Sequence, residues 1–473
     1  MASKFLDFYS KSRPSATSMP EEKVHKTYMR HRLQVLAAIT FGYALYYVCR
    51  TSLNVVKGPI LDSGILTASQ LGTIGSFLFF AYAIGKFFSG FLADYSNTKR
   101  FMATGLLIST LANFLLGVLG IMAESASITN IFLFISFCIL WCINGLSQSM
   151  GAAPSVVALS RWYPLRIRGT YYGFFSASHN FGEWLSFLFV GLIVSAFGWK
   201  WGFFGAALAG VLGIVIIMLW LHDTPESEGL PPVEVLSGEK TAEEVEAENA
   251  AKEASAEADR RETARIQRAV LRNPGVWILA LSSAFMYMSR YAINSWGIVF
   301  LQKARGIALA EATFIISINA ILGIIGTVFS GWLSDTVFKG DRKIPALAAG
   351  ILETVALVLF LFGGSSRWVL YLSMVLFGIS IGVLISFLCG LMAIDLVPRS
   401  ACGAAVGITG LASYAAAGLQ DIVSGILIDG QATVDAAGET VYNFTAVSWF
   451  WIAAAAISFL LPLLNWNRKQ QEI

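Results

Sequence analysis

Charged residues are scarce in this sequence, and that scarcity restricts its structure more than any other feature. Only 13% of the 473 residues are Asp, Glu, Lys or Arg, and 56% are apolar. Globular proteins carry about 25% charged residues, so the composition excludes an ordinary soluble domain. It predicts a chain whose main solvent is lipid. The net charge of +3 is small, and it gives no support to a nucleic-acid partner.

Cysteine is also scarce, and recognisable enzymatic motifs are missing. Five cysteines fall within or at the edges of apolar stretches: Cys49, Cys138, Cys142, Cys389 and Cys402. None has the spacing to histidine that metal sites use, and disulfides are not expected there. The sequence has no Gly-rich phosphate loop of the ATPase type, no His-Glu-x-x-His and no hydrolytic triad. We therefore expect neither an enzyme nor a cofactor, and we expect transport to run on substrate gradients.

Long apolar stretches dominate the chain, and each reaches the length of about 20 residues that a membrane span needs. They predict an all-α membrane protein with twelve transmembrane helices in two six-helix bundles. The stretches lie near 33–56, 69–91, 101–122, 128–157, 169–195, 199–221, 275–302, 310–334, 344–364, 367–393, 402–428 and 444–466. The predicted domains are a tail at 1–32, a bundle at 33–221, a charged linker at 222–273, a bundle at 274–466 and a tail at 467–473.

The distribution of basic residues predicts the orientation. Most of them lie in the two tails, the central linker and the loops on the same side, whereas the opposite loops hold Lys57, Lys200, Lys303, Arg305 and Arg367. Cytoplasmic loops carry an excess of Lys and Arg, so both termini and the linker are expected in the cytoplasm. A bacterial inner membrane is the expected location.

An internal repeat supports two equivalent halves. The sequence Phe-Ser-Gly-Phe-Leu-Ala-Asp at 88–94 recurs as Phe-Ser-Gly-Trp-Leu-Ser-Asp at 329–335, and Pro164, Gly169 and Gly173 keep the spacing of Pro398, Gly403 and Gly407. The halves run in the same direction, with span 1 equivalent to span 7. Parallel repeats of this kind are typical of transporters that bind substrate at the midplane between the halves.

Two arginines in the middle of apolar spans are the strongest candidates for a binding site. Arg50 follows a tyrosine cluster that includes Tyr43 and Tyr47, and Arg290 follows Tyr287 in the other half. A guanidinium at bilayer depth costs about 2.5–3.5 kcal/mol on insertion scales and is functional by default. Its planar fork suits phosphate or carboxylate. One arginine from each half predicts one anion held between the halves, although pairing of an arginine with a carboxylate inside the bundle is the alternative.

Other polar residues within the spans extend this candidate site. Lys86 is expected to face the cavity, where it either adds positive potential or pairs with a carboxylate. His179 and Glu183 share one helix face. We expect His179 to contact substrate and Glu183 either to favour its imidazolium or to pair with Lys86, unless the two form a buried ion pair. Asp421 could bind an amine or a hydroxyl, or neutralise an arginine, whereas Trp296 is expected to pack.

At this point the motifs resemble a known family, the organophosphate:phosphate antiporters of the major facilitator superfamily. The matching stretches are Gly-Tyr-Ala-Leu-Tyr-Tyr-Val-Cys-Arg at 42–50, Tyr-Ala-Ile-Gly-Lys-Phe at 82–87, Asp-Tyr-Ser-Asn at 94–97, Ser-His-Asn-Phe-Gly at 178–182, Asp-Thr-Pro at 223–225 and Tyr-Met-Ser-Arg at 287–290. The resemblance implies a single-chain carrier that exchanges a phosphorylated metabolite for inorganic phosphate by alternating access.

The resemblance also implies roles for individual residues. Arg50 and Arg290 would hold the phosphoryl group, with assistance from His179 and Lys86, and Tyr43, Tyr47, Tyr287 and Tyr414 would line the cavity. The chain departs from the family pattern around His179 and in the tenth and eleventh spans, where Val383 and Asp421 stand. The identity of the organic half of the substrate therefore cannot be taken over from the family.

The repeated Gly-x-Leu-x-Asp turns give a second group of candidates at the ends of spans 2 and 8. Asp94 and Asp335, with the basic residues Arg100 and Arg342 that follow them, are expected either to gate the carrier or to pack helix ends.

Two further functions stay open at the level of sequence. A membrane sensor would bind a sugar phosphate and signal to a histidine kinase without useful flux. A proton-coupled symporter of an organic anion would use Glu183, Asp395 or Asp421 as its proton carrier.

Overall fold

The computed structural model describes residues 8–125, 127–241, 243–244, 247, 270–338, 341–397, 402–436 and 438–465. Helices make up most of this part of the chain, and they are joined by turns and loops; one small antiparallel hairpin consists of β1 (Thr433–Val434) and β2 (Thr440–Val441). Twelve of the helices are long and apolar enough to cross a membrane. The chain is thus an all-α, multi-pass membrane protein, as its composition predicts.

Each predicted span overlaps one long helix. The helices are α1 Glu21–Asp62, α2 Ala68–Tyr95, α3 Thr98–Glu124, α4 Asn130–Trp162, α5 Leu165–Phe197, α6 Trp199–Trp220, α7 Pro274–Arg305, α8 Leu309–Trp332, α9 Lys343–Phe362, α10 Arg367–Ser386, α11 Cys402–Gly430 and α12 Thr445–Leu460. Short helical segments continue three of them, at Leu333–Val337 after α8, at Phe387–Leu391 and Met392–Ile394 after α10, and at Leu461–Asn465 after α12. Two short helices, Glu226–Glu228 and Val233–Leu236, follow α6.

Local signals explain several helix boundaries. Thr67 and Gln70 form a capping box that starts α2, which satisfies backbone N–H groups that the first turn leaves without partners. Asn97 caps α3 by accepting from the backbone N–H of Arg100 at 2.9 Å. Gly306 ends α7 in the left-handed region with φ 64°, where a residue without Cβ carries no steric penalty. α1 begins at Glu21 rather than at the predicted residue 33, so part of the predicted tail is helical.

The same helix pairs pack in both halves. In the N-terminal bundle (α1–α6), α1 packs on α5 and α6, and α4 packs on α2 and α3. In the C-terminal bundle (α7–α12), α7 packs on α11 and α12, and α10 packs on α8 and α9. These pairs are equivalent when α1 is superimposed in sequence on α7. The packing therefore has the pseudo-symmetry that the repeats predict.

The two bundles meet along α2 with α11 and along α5 with α8. We call the membrane side where α1 begins and α12 ends the terminal side, and the other the far side. Near the far side the helices touch backbone to backbone, since a Cβ on Gly72 would lie 2.3 Å from the Asp421 carbonyl oxygen and one on Gly425 would lie 2.4 Å from that of Ala68. The carboxylate of Asp429 also accepts from the backbone N–H of Ala68 at 2.9 Å.

Toward the terminal side the same interface helices separate. A Cβ on Gly90 of α2, on Gly173 of α5 or on Gly407 of α11 would meet nothing within 4 Å. The bundles are therefore closed together at the far side and apart at the terminal side. The side chain of Lys86 is exposed on this side, whereas Arg50 and Arg290 at the centre are buried.

Asp223, in the Asp-Thr-Pro stretch after α6, ties several segments together on the terminal side. Its Oδ1 accepts from the backbone N–H of Thr98 at 2.8 Å and from Arg161 Nη1 at 2.6 Å, and its Oδ2 accepts from the backbone N–H of Ser12 at 2.9 Å. The start of the linker is thus fixed to α3, to α4 and to the N-terminal segment.

Candidate functional site

Arg50 lies at the centre of the interface, buried on α1. Its guanidinium carbon is 4.2 Å from the ring centroid of Tyr82, 5.3 Å from that of Tyr47 and 5.4 Å from that of Tyr414. Stacking on aromatic faces stabilises the cation in this desolvated position. One nitrogen, Nη2, is buried and has no hydrogen-bond partner among the described residues. Arg50 therefore keeps unused hydrogen-bonding capacity for an anion.

Arg290 lies on α7 in the other bundle and has a carboxylate partner. Its Nη2 is 3.2 Å from Oε2 of Glu183, and Asn294 Nδ2 donates to Glu183 Oε1 at 2.9 Å. Arg290 and Asn294 are one helical turn apart, so they present both donors on one face of α7. All three side chains are buried. Because Glu183 belongs to α5, this pair joins the two bundles.

The placement of Glu183 differs from both sequence predictions for its functional role. The sequence predicts that it tunes His179 or pairs with Lys86, whereas in the structure it contacts Arg290 and Asn294. The alternative prediction, in which an arginine pairs with a carboxylate, therefore holds for Arg290. The pair lies across the interface, however, and not within one bundle.

Tyrosines connect the two arginines. The ring of Tyr414 lies 5.4 Å from that of Tyr287, and the guanidinium carbon of Arg290 is 5.9 Å from the Tyr287 ring and 5.4 Å from that of Tyr291. Tyr43 packs beside Tyr47 at a centroid distance of 5.4 Å. All four predicted tyrosines therefore fall in the cluster around the arginines, together with Tyr82 and Tyr291. The cluster thus places phenol groups around both guanidinium groups.

A second ion pair between the bundles lies closer to the far side, where Lys57 of α1 meets Asp421 of α11. The Nζ–Oδ1 distance is 2.8 Å, and both side chains are almost fully buried. Trp296 donates its Nε1–H to the same oxygen at 2.5 Å, and its ring centroid lies 4.1 Å from Lys57 Nζ. The prediction that Lys57 lies in a loop is therefore wrong. Trp296 packs against Lys57 and also donates a hydrogen bond to Asp421.

Gly75 provides the space for this ion pair. A Cβ at that position would lie 1.7 Å from Asp421 Oδ2 and 3.5 Å from Lys57 Nζ. Oδ2 itself is buried without a hydrogen-bond partner in the described chain. A cavity lined by Arg50, Asn54 and Asp421 places this carboxylate beside the arginine site.

Lys86 and His179 border the tyrosine cluster on its terminal side. Lys86 Nζ lies 5.4 Å from the Tyr414 ring centroid, so the side chain reaches from α2 toward α11. The His179 ring is 5.9 Å from that of Tyr47 and one helical turn from Glu183. Lys86 thus reaches the opposite bundle, and His179 lies beside the tyrosine cluster.

The ionised groups of this region leave an excess of positive charge. The cations are Arg50, Lys57, Lys86 and Arg290, and the carboxylates are Glu183 and Asp421. Counting Asp and Glu as ionised and His179 as neutral, four cations face two anions. An excess of two positive charges matches a phosphate ester, which carries about −1.5 to −2 at pH 7.

The four residues predicted from the repeated turns have different environments. Asp94 is exposed, and its carbonyl oxygen accepts from Arg161 Nη2 at 2.9 Å. Arg100 donates to the carbonyl oxygen of Phe8 at 2.8 Å, and Arg342 forms an ion pair with Asp395. The side chain of Asp335 lies outside the described residues. The side chain that caps α3 is that of Asn97 rather than Asp94, and Asp223 accepts a hydrogen bond from the backbone N–H of Thr98.

Sequence reasoning missed Lys57, Tyr82 and Tyr291 as members of the site, and it noted the spacing of Asn294 from Arg290 without giving Asn294 a role. Spacing could have indicated two of them, because Asn54 and Lys57 follow Arg50 by one and two helical turns and Asn294 follows Arg290 by one. Lys57 was instead assigned to a loop, because a charged residue near the end of an apolar stretch usually marks the end of the span.

Comparisons with known proteins identify the relatives of this chain. The profile of the Major Facilitator Superfamily matches residues 39–420. A probable hexose phosphate transport protein from Chlamydia pneumoniae is 31% identical over 461 residues, covering 95% of this chain and 94% of that protein. The membrane sensor protein UhpC from Salmonella typhimurium is 31% identical, covering 94% of both chains. The glycerol-3-phosphate transporter from Bacillus subtilis is 30% identical, covering 97% of both.

The fold also matches a solved structure, although its sequence is distant. A bacterial homolog of the human lysosomal transporter Spinster superimposes with a TM-score of 0.68 at 17% identity, covering 94% of this chain and 99% of that chain. At this identity the match supports the fold alone.

Proposed function

Because this chain belongs to the major facilitator superfamily, among relatives of hexose-phosphate and glycerol-3-phosphate transporters, we propose that it exchanges a phosphorylated metabolite for inorganic phosphate. The relatives named above are transporters and a membrane sensor, not enzymes. The observation that carries the proposal is the pair of buried arginines on opposite bundles, within one tyrosine cluster that has an excess of two positive charges. A phosphoryl group is the anion that best fits this charge and these donors.

Binding would use the two arginines differently. Arg50 has a buried Nη2 without a partner, so phosphate can accept from it without displacing another group. At Arg290 the phosphate competes with Glu183, which already neutralises that guanidinium. Charge-assisted bonds from arginine to phosphate are frequently bidentate. Once phosphate is bound, Glu183 retains Asn294 as a hydrogen-bond donor.

Binding would also couple the bundles, because Arg50 belongs to α1 and Arg290 to α7. An anion held by both stabilises the closed state, in which both guanidinium groups reach it, more than an open state. The empty site keeps uncompensated positive charge in a desolvated position, which is costly. Return of the empty carrier is therefore slow, and exchange is favoured over net transport.

We assign the terminal side to the cytoplasm on the distribution of Lys and Arg, in the inner membrane of a bacterium and in a chain that acts as a monomer. The state described here is then open to the cytoplasm, ready to receive a metabolite or phosphate from inside. Tyr43, Tyr47, Tyr287, Tyr414, Lys86 and His179 are proposed to line the path of the substrate, with Asp421 near its deep end.

Exchange by purified protein tests the proposal. Proteoliposomes loaded with phosphate should take up labelled phosphate, and glycerol 3-phosphate, glucose 6-phosphate, phosphoglycerate and phosphoenolpyruvate should be compared as competitors. Arg50→Lys and Arg290→Lys should raise half-saturation about tenfold or more, because a hydrogen bond to a charged group contributes about 1.5–3 kcal/mol and lysine lacks the planar fork. The exposed Arg272→Lys is the matched control and should exchange as the parent does. Unchanged exchange in both site variants would refute the arginine site.

A sensor is the second candidate, since UhpC is a relative of similar identity. Such a protein would bind a sugar phosphate with the same arginines but would give no exchange in proteoliposomes. Binding without exchange, measured on the same preparation, therefore distinguishes the two functions.

A further inference from the structure

We propose that His31 and His222, supported by Glu228, form a binding site for a divalent transition metal of the Zn²⁺ class. The site lies on the terminal side of the N-terminal bundle, away from the arginine cavity. His31 is on α1, His222 directly follows α6, and Glu228 ends the short helix Glu226–Glu228. One ring nitrogen of each histidine and one carboxylate oxygen of Glu228 lie within 4.8 Å of one another.

The hydrogen bonds fix the state of the two imidazole rings. Glu228 Oε1 lies 2.8 Å from His222 Nδ1, and a carboxylate accepts, so Nδ1 carries the proton. His222 Nε2 then has a free lone pair. His31 Nδ1 lies 2.9 Å from that Nε2 and 3.0 Å from Gln34 Oε1, so His31 is the donor when no metal is bound. A metal ion would replace this shared proton.

This arrangement has the chemistry of a metal ligand with its support. Ligating histidines commonly donate their other ring N–H to a carboxylate, which orients the ring and raises its basicity. Glu228 already holds His222 in that way. Imidazole nitrogen suits Zn²⁺, Cu²⁺ and Ni²⁺. His31 Nδ1 and His222 Nε2 would ligate the ion, with Gln34 Oε1 and water as the neighbouring oxygen donors.

The geometry needs only a small adjustment. Zn–N bonds of about 2.0–2.1 Å in a tetrahedron place the two nitrogens about 3.3 Å apart, whereas they are 2.9 Å apart here. The side chains of His222 and Glu228 are 16% and 36% exposed, so an ion can reach the site.

The surrounding residues hold the rings in place. Trp162 lies 6.0 Å from the His31 ring and 6.1 Å from the His222 ring, and its Nε1–H donates to the His222 carbonyl oxygen at 2.9 Å. A bound metal ion would link His222, at the start of the linker, to His31 in the third turn of α1. Because both belong to the N-terminal bundle, this link does not need to break when the bundles move.

Metal binding by the full-length chain tests this proposal. The protein would be purified in detergent without a histidine tag and titrated with Zn²⁺ by calorimetry and with Co²⁺ by visible absorption. One ion per chain is expected. His31→Ala and His222→Ala should each abolish this binding, and Glu228→Gln should weaken it about 10–100-fold, as loss of a supporting carboxylate does. His25→Ala is the control, because His25 is exposed, and it should bind as the parent does.

Two results would overturn the site. One is the absence of stoichiometric metal binding by the parent protein. The other is binding that persists in the His31→Ala and His222→Ala variants, because the ion would then be held by other side chains. If an alanine variant fails to fold, His31→Gln and His222→Gln replace it, with thermal unfolding of the metal-free protein as the check. Phosphate exchange is not the readout, so failure here leaves the transport proposal intact.

Discussion

At the scale of single residues, Glu183 shapes the chemistry of the site most. It neutralises Arg290 from the opposite bundle and accepts from Asn294. The sequence predicts a functional carboxylate at this position but not its partner, because helical spacing relates residues on one helix and is silent about which face the other bundle presents.

Replacing Glu183 tests its competition with phosphate. Glu183→Gln keeps a hydrogen-bond acceptor for Asn294 but removes the charge that phosphate must displace. Half-saturation for phosphate should therefore fall, by about tenfold for each 1.4 kcal/mol of competition that is lost. Uptake driven by an imposed pH gradient without internal phosphate is measured in parallel. If the parent shows such uptake and the variant loses it, Glu183 carries a proton and the symport alternative is favoured over competition.

Lys57 and Asp421 are the other notable residues, and here the sequence failed in one respect. Asp421 is recognisable as a carboxylate within a span, but Lys57 stands near the end of its apolar stretch, where lysines commonly mark the membrane boundary. Only the tertiary contact with α11 reveals it as a buried cation. The extension of α1 to Asp62 places it inside the helix.

The ion pair predicts a non-additive mutational response. Lys57→Met or Asp421→Asn alone leaves a buried charge without its partner, which costs about 3–5 kcal/mol. The double variant Lys57→Met/Asp421→Asn removes both charges and should recover most of that loss in thermal unfolding in detergent. Lys303→Gln, which breaks the more exposed pair with Asp62, is the control and should cost about 0.2–1 kcal/mol. Additive losses in the double variant would contradict direct coupling.

At the scale of helices, the sequence predicts existence and order well and boundaries less well. All twelve spans have a helix, because a continuous apolar run of this length is a strong signal. The start of α1 at Glu21 is missed because the polar residues before position 33 carry no apolar pattern. The capping box at Thr67 is visible in the sequence, whereas the contribution of Asp429 to the same helix end is not.

Asp429 illustrates how one helix can stabilise another across the interface. Asp429→Ala should lower stability by about 1 kcal/mol, since it removes the acceptor for the N–H groups of Ala68 and Ser69, within the range measured for helix caps. Asp429→Asn should retain most of the stability, because its amide oxygen still accepts. Thermal unfolding in detergent measures both. An equal loss in the two variants would indicate that charge, rather than capping, is the main contribution.

At the scale of the whole molecule, the far side is closed and the terminal side is open, and glycines distinguish the two regions. Those of α2 and α11 at the far side leave no room for a Cβ, whereas Gly90 and Gly407 have open space. The repeats predict two bundles from the sequence. They do not predict which side is open, since both states use the same residues.

Substituting these glycines should shift the balance between the two states. Gly425→Ala should push α2 away from α11 at the far side, and the terminal side should then close. A cysteine introduced by Gly90→Cys, in a chain without native cysteines, reports this change. It should react more slowly with a thiol reagent when Gly425→Ala is present. Gly407→Ala is the matched control on the same helix, and it should not slow the reaction. Unchanged reactivity with Gly425→Ala would mean that the close contact at that glycine does not determine the state.

The symmetry of the interface has a consequence for the ancestry of the chain. α2 against α11 and α5 against α8 are one contact made twice, as in a homodimer in which the same surface patch pairs with itself. Two identical six-helix subunits could have assembled in this way before gene duplication and fusion. By the repeat spacing, Ala417 occupies the position equivalent to Glu183, and Phe187 the position equivalent to Asp421. Each half thus has one carboxylate that the other lacks, an asymmetry that two identical subunits could not have.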